Sequence, residues 1–321
     1  MKPRHPVNVE VTRGPIVENR HQVIYVVTDN RGLLVDYHGN TDYVVTPRSS
    51  VKWLQAVPFV ESGALEKWGL GEMHIALACA SHKAQEHHLS LLKKWMEAIG
   101  VTEKDLECGP AGPTNSSLSH NCSGKHLGFI STAKMKSWEI SKYTDYSHPI
   151  QVLQKKWMTQ VFGLDFTKLP HGGDGCGIPT FAVPLKNLSL AINIFVQTGT
   201  FLEQRKSLNQ ILSSLQKYPE YVSGQGDLLS RVAQVSEGKC LIKSGADGVY
   251  TGLLLEKGYS FAVKCIDGSA RATELVVLSL VKKWGGLNSS QLEKLKMDLE
   301  PVVLDSRSQK VGIVRIEPGS F

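Results

Sequence analysis

Ser49 and Lys52 stand three residues apart in the stretch Thr46-Pro47-Arg48-Ser49-Ser50-Val51-Lys52. On a helix that spacing puts both side chains on one face, with Cβ atoms roughly 5–6 Å apart. An amine so placed takes the proton of a serine hydroxyl when burial or a second cation weakens its hold on its own proton. This is the Ser-Lys form of nucleophilic catalysis. The spacing alone is common, since Ser-x-x-Lys also starts at Ser90, Ser131, Ser214, Ser236 and Ser279. Context sets Ser49 apart. The apolar run Tyr43-Val44-Val45 precedes it and Pro47 stops that run, while Val51, Trp53, Leu54, Ala56 and Val57 follow as a buried helix would. The plainer account of the same residues is a helix-capping serine beside a lysine whose stem lies along apolar surface.

Four more segments carry chemistry. Ile75-Ala76-Leu77-Ala78-Cys79-Ala80-Ser81-His82 is a small, apolar run ending on a hydroxyl and an imidazole. Ser81 reads as a cap for the charged helix that follows, or as a second active-site hydroxyl. Ser119-His120-Asn121-Cys122-Ser123-Gly124-Lys125-His126 crowds two histidines, a thiol and an amine among small residues that let backbone approach a ligand. Cys122 and Lys125 are again three apart, although Cys-x-x-Lys-His is not a standard zinc spacing, and a tight turn around a buried cysteine explains the run without a ligand. His171-Gly172-Gly173-Asp174-Gly175-Cys176-Gly177 is rich in glycine, and an extended chain there would put Asp174 and Cys176 on one side. Lys243-Ser244-Gly245 is close to the Lys-Thr-Gly pattern of penicillin-recognising serine enzymes.

The elements that must position these groups can be read coarsely. Val7–Val17, Gln22–Thr28 and Leu33–Tyr37 read as strands, with a turn at Asp29-Asn30-Arg31-Gly32. Pro58 bends or ends the helix after Lys52. Helices are expected from Ala84 to about Ile99, over Ile150–Phe162, through most of Leu185–Ser236 and over Ala270–Lys283. Val249–Leu255 and Tyr259–Lys264 form a hairpin, and Val311–Ile316 a last strand. The fold class expected is α/β (α+β): an antiparallel sheet built from N- and C-terminal strands, packed with helices and carrying a helical insert. One catalytic domain over 1–321 is expected, sheet-rich at about 1–45 and 240–321 and mainly helical at about 49–239.

Composition narrows the function. The 321 residues are 41% hydrophobic and 21% charged, an ordinary globular balance. The net charge of +6 comes without a basic block or aromatic-basic alternation, so no nucleic-acid partner is indicated. No apolar run is long enough for a membrane helix. The start lacks a signal-peptide core, and the six cysteines read as reduced thiols, so a cytoplasmic location is expected.

Together, Arg48-Ser49-Ser50-Val51-Lys52, Cys79-Ala80-Ser81-His82, Asn121-Cys122-Ser123-Gly124-Lys125-His126, Asp174-Gly175-Cys176 and Lys243-Ser244-Gly245-Ala246-Asp247 resemble the Ser-Lys type of L-asparaginase found in rhizobia. That is the asparaginase II family, of the serine β-lactamase/glutaminase-like fold. The resemblance implies two Ser-Lys pairs, Ser49 with Lys52 and Ser81 with Lys243. It implies zinc held by Cys122, Lys125 and Cys176, a substrate pocket including Arg48, His126, Asp174 and Gly245, and a homodimer. The implied reaction is hydrolysis of L-asparagine through an acyl-enzyme on Ser49. Alternatives are a glutaminase or a penicillin-recognising hydrolase of the same fold, for which Ser119-His120-Asn121 fits the Ser-x-Asn formula, and a non-enzymatic metal-thiolate protein using Cys122 and Cys176.

Overall fold

A computed structural model describes residues 4–197 and 199–321. The chain divides into two compact units, one of Met1–Ser50, Val183–Thr198 and Val235–Phe321, the other of Val51–Ala182 and Gly199–Gln234.

The first unit is built on an antiparallel sheet. Its strands run in the order Val302–Leu304, Lys310–Ile316, Val7–Arg13, Ile16–Thr28, Tyr259–Cys265, Val249–Leu254 and Cys240–Gly245. Leu34–His38 pairs with the far half of Ile16–Thr28, beyond the stretch that Val7–Arg13 occupies. N-terminal and C-terminal strands therefore share one sheet, as expected. The first strand ends at Arg13, not Val17, because Gly14 takes a left-handed turn at φ +55° and the return strand starts at Ile16. The strand Val302–Leu304 carried no clear alternation and was not foreseen.

Val249–Leu254 is buried throughout, as expected of a strand covered on both faces. The helix Leu185–Asn193, expected in the helical part, packs on the sheet instead. It buries Leu185, Leu188, Ala191 and Ile192, and its polar residues are used in the contact. Ser189 Oγ lies 3.0 Å from Thr28 Oγ1, and Asn193 Nδ2 donates to Ser260 Oγ at 2.8 Å and to the Asp29 carbonyl at 3.0 Å. The helix Ala270–Lys283 also packs on the sheet.

The second unit is mainly helical. Its axis is the helix Ser123–Met135, buried from Ser123 to Ala133. A helix apolar or small on all sides belongs inside a bundle. Glu72–Ala78, Glu86–Ile99, Val57–Val60 and Pro149–Phe162 pack around it. Gly124 permits the closest approach: a Cβ there would fall 2.2 Å from the Leu77 carbonyl oxygen. Pro58 sits in the first turn of the short helix Val57–Val60, where its missing N–H is no loss, so it starts that helix rather than breaking one. His171–Gly173 and Pro179–Phe181 form a small hairpin.

Candidate active site

In the sheet unit, Val44–Val45 leads through Pro47 into a 3-10 turn, Arg48–Val51, which carries Ser49. The Pro47 carbonyl accepts from both Ser50 N (3.1 Å) and Ser50 Oγ (2.7 Å), closing the turn. Thr251 Oγ1 donates to the Ser50 carbonyl at 2.9 Å. The edge strand Cys240–Gly245 passes against this turn at Gly245, where a Cβ would lie 2.7 Å from the Pro47 carbonyl oxygen. Only glycine fits there, which accounts for the third residue of Lys243-Ser244-Gly245. Lys243 is fully buried and donates to the Ser244 carbonyl at 3.0 Å. Arg48, at φ +53°, donates to Asp247 Oδ2 at 2.8 Å.

In the helical unit, Lys52 opens the helix Lys52–Gln55 and is fully buried. Its Nζ donates to the Ala80 carbonyl, to Ser81 Oγ at 3.2 Å and to the Asn121 carbonyl at 3.5 Å. Two carbonyl oxygens thus hold the amine in front of a serine hydroxyl. Ser81 is not a helix cap. The helix Glu86–Ile99 starts after Gln85, and Ser81 N instead donates to the Val222 carbonyl at 2.9 Å. His82 Nε2 meets Ser123 Oγ at 2.8 Å. Burial first, and the neighbouring His88 second, push the His82 imidazole down to about 3.

Cys122, Lys125 and Cys176 come together. Lys125 Nζ donates to Cys176 Sγ at 3.0 Å, Cys122 Sγ lies 3.2 Å from Asn121 Oδ1, and the two sulfurs are close enough for each to shift the other's titration, Cys176 acting on Cys122 as a hydrogen-bond donor. That bond from Cys176, against burial and with help from the Lys52 and Lys125 charges, holds the Cys122 thiol well below the usual range. Its counterpart, the bond to Cys122, with burial, pushes Cys176 up. Burial disfavours the Lys125 ammonium, but Cys176, Cys122 and Asp174 outweigh it and hold Lys125 protonated. Metal-free, the two sulfurs are coupled, with Cys122 the more readily ionised of the two, beside the Lys125 ammonium. Asp174 is reached by a turn rather than an extended chain, as Gly177 N donates back to the Asp174 carbonyl at 2.9 Å with Gly177 at φ +86°. Asp174 Oδ2 still lies 3.9 Å from Cys176 Sγ.

His126 is fully buried, and its Nδ1 stands 2.6 Å from the Tyr143 hydroxyl. That hydroxyl also accepts from Glu107 N at 2.8 Å. Burial keeps the imidazole neutral, and its Nε2 is buried with no hydrogen-bond partner among the described residues. A buried ring nitrogen without a partner is a place for a ligand atom. Tyr143 sits in the polar run Ser141-Lys142-Tyr143-Thr144 and gave no sequence signal, and the Ala80 and Asn121 carbonyls were equally hidden. Ser119 is spent on the 111–116 loop, accepting from Thr114 Oγ1 at 2.9 Å.

The predicted residues thus fall in two sets: Arg48, Ser49, Lys243 and Gly245 on the sheet unit, and Lys52, Ser81, Cys122, Lys125, His126, Asp174 and Cys176 on the helical unit. The family described as L-asparaginase II matches residues 9–316, and the chain belongs to that family. Its membership makes it an asparaginase-type amidohydrolase acting on a small molecule. Comparison with curated proteins gives no match. Similar solved structures include a provisionally assigned β-lactamase of Bacteroides dorei DSM 17855, at 11% identity over 76% of this chain and 84% of that one, TM-score 0.41. Another is a β-lactamase of Mycobacterium bovis, at 10% identity over 82% and 94%, TM-score 0.43. Among the described residues, no helix is long and apolar enough to cross a membrane.

Proposed function

We propose that the chain hydrolyses the side-chain amide of L-asparagine to L-aspartate and ammonia through an acyl-enzyme on Ser49. The observation that supports a lysine base is the buried Lys52 amine, fixed by the Ala80 and Asn121 carbonyls; the hydroxyl it meets, at 3.2 Å, is that of Ser81, which the resemblance pairs with Lys243. Ser49 and Lys52 belong to one continuous helical run, the 3-10 turn Arg48–Val51 passing directly into Lys52–Gln55. Lys52 takes the Ser49 proton, Ser49 Oγ attacks the amide carbon, and ammonia leaves with a proton. Water then releases aspartate. Ser81 and Lys243 relay protons. Arg48, held by Asp247, suits the substrate carboxylate, and Asp174 suits its ammonium. His126 Nε2 offers an unpaired ring nitrogen to a polar substrate atom, and Gly245 keeps backbone open beside the Ser49 turn.

The donor set of Cys122, Lys125 and Cys176 fits zinc, with two sulfurs and a nitrogen around one buried point and room in a tetrahedral shell for a fourth ligand. Zinc bound there would supply a fixed positive charge that orients or polarises an oxygen ligand. Lys125 must lose its proton to ligate, so uptake competes with protons. A homodimer belongs to the same reading, and sedimentation tests it.

The deciding experiment is ammonia release from L-asparagine and L-glutamine by wild type and Ser49→Ala. Asparagine turnover abolished by the substitution is expected, with an acyl adduct on Ser49 trapped in Ser81→Ala and seen by intact mass. Preferential glutamine turnover, or an adduct on Ser81, would overturn the substrate or the nucleophile respectively.

A further inference from the structure

The sheet unit gathers a second group of ligand-type side chains, outside every residue assigned above. His21 on the strand Ile16–Thr28, Cys265 at the end of Tyr259–Cys265 and Asp267 in the following turn bring a ring nitrogen, a sulfur and a carboxylate oxygen within 4.8 Å of one another. The local fold dictates this. Cys265 pairs with Val23, and His21 is two residues from Val23, so His21 and Cys265 share a face. Ile266 N donates to the Gln22 carbonyl at 2.8 Å, which extends the pairing past Cys265 and returns Asp267 to His21. His21 Nδ1 stands 2.6 Å from Asp267 Oδ2, and Cys265 Sγ donates to Asp267 Oδ1 at 2.9 Å. Asp267 Oδ1 also accepts from Ser269 N at 3.2 Å. Cys265 is fully buried and His21 nearly so, while Asp267 is exposed. His21 Nε2 is buried with no partner, so the polar chemistry of this imidazole is directed through Nδ1 into the cluster.

We propose that His21, Cys265 and Asp267 bind a borderline divalent cation of the zinc or cobalt type, a centre separate from Cys122, Lys125 and Cys176. The ligand set N, S⁻ and O⁻ neutralises a charge of two and leaves the fourth position on the exposed Asp267 side, open to solvent. Binding displaces the thiol proton of Cys265, so uptake strengthens as pH rises. The centre also braces a turn that matters. Cys265 N donates to the Gly248 carbonyl at 2.9 Å, and a Cβ on Gly248 would fall 2.9 Å from Cys265 Cβ. The adjacent Asp247 holds Arg48 at 2.8 Å. A cation on Cys265 thus stiffens the support of Arg48. This inference stands whether or not the asparagine reading does.

The test is a Co²⁺ titration of the Cys122→Ser/Cys176→Ser chain, read by sulfur-to-cobalt charge-transfer absorbance and by bound metal after gel filtration. About one equivalent with that absorbance is expected. Adding Cys265→Ser should abolish the absorbance, and adding Asp267→Asn should weaken binding about tenfold or more. A folded Cys122→Ser/Cys176→Ser chain that takes up no cobalt, or uptake unmoved by both additions, would overturn the proposal. If that background does not fold, Asp267→Asn in the otherwise unaltered chain decides. This exposed substitution should lower the bound cobalt by one equivalent, and an unchanged count would overturn the proposal.

Discussion

Lys52 and Lys125 are both buried lysines of the helical unit, yet their surroundings have little in common. Lys125 sits in the first turn of the helix Ser123–Met135 with its Nζ 3.0 Å from Cys176 Sγ and the Cys122 thiolate beside it. Lys52 faces the carbonyls of Ala80 and Asn121 and the Ser81 hydroxyl. A buried ammonium is costly unless an opposite charge and hydrogen bonds compensate it. Lys125 has a full charge partner, so removing it strands a buried anion. Lys52 is compensated by dipoles, so a hydrocarbon of equal length could replace it with little loss of stability. A residue that packing does not require, kept at a buried position, is where function rather than fold dictates the choice.

Exchanging each lysine for methionine is the sharpest way to break that contrast. Lys52→Met should lower kcat for ammonia release by roughly 10⁴–10⁶, the range seen when one member of a nucleophile-base unit is removed. Its unfolding free energy in urea should change by no more than about 1 kcal/mol, or rise. Retention of a tenth of the activity would remove Lys52 from the proton path. Lys125→Met, measured with chelator present, should cost about 3–5 kcal/mol by leaving the Cys122 thiolate unpaired. Adding Cys122→Ser should restore part of that. Equal stability losses for the two methionine variants would erase the distinction.

The same helix offers a second pair of substitutions with opposite signs. Gly124 and Gly128 lie one turn apart. A Cβ on Gly124 would meet the Leu77 carbonyl oxygen at 2.2 Å, whereas one on Gly128 would meet Phe59 and Ala78 at 3.5–3.6 Å, ordinary contact. Gly124→Ala should destabilise by about 2–3 kcal/mol through overpacking and move the neighbouring Cys122–Lys125 turn. Gly128→Ala should be neutral or gain up to about 1 kcal/mol of helix propensity. Thermal or urea unfolding of both variants checks this, and the Gly124 variant should lose metal affinity while the Gly128 variant keeps it.

How much of this was legible in the sequence follows from the range of each interaction. Gly32, at φ +76°, closes the turn that Asp29-Asn30-Arg31-Gly32 announced, and the helix Ala270–Lys283 has the bounds its periodicity gave, because both depend on neighbours in sequence. The start of the helix after Ser81 was misplaced because Gln85, a weak capping residue, precedes it. Leu185–Asn193 reads as a helix from its period, but that it packs on the sheet depends on Thr28 and Ser260, far off in the chain. In the site, residue types and order pointed to Ser49, Lys52 and the Cys122 and Cys176 segments. The Ala80 and Asn121 carbonyls that fix Lys52 have no side-chain signature at all. His21 and Cys265 drew no attention because they are 244 positions apart and meet only through strand pairing.

The smallest effect concerns protons that the helical unit refuses, in contrast to the one Lys125 keeps. His82 and His88 stack at 5.2 Å, and burial outweighs the one nearby group that favours a charge on His82, Cys122. His82 Nδ1 accepts from Ala84 N at 3.2 Å, and His88 Nδ1 accepts from Gln85 N at 3.2 Å, so protonating either ring breaks a helix-start bond. Burial first, and a neighbouring histidine second, lower His82 to about 3 and His88 to about 4. Both folded values lie below the unfolded value of about 6.5, so the unfolded chain takes up protons first and stability falls as pH falls. The contribution is complete above about pH 6.5 and is lost on the way down toward the folded values. Between pH 5 and 6, above the carboxylate range, the unfolding free energy should drop by about 1.4 kcal/mol per pH unit for each ring. His88→Gln should reduce the slope by about one proton. The Lys52 charge also lowers His82, so Lys52→Met should raise its folded value and leave less stability to lose at low pH. A slope untouched by either substitution would show that these imidazoles are protonated in the folded chain, with the hydrogen bonds to Ala84 and Gln85 already given up.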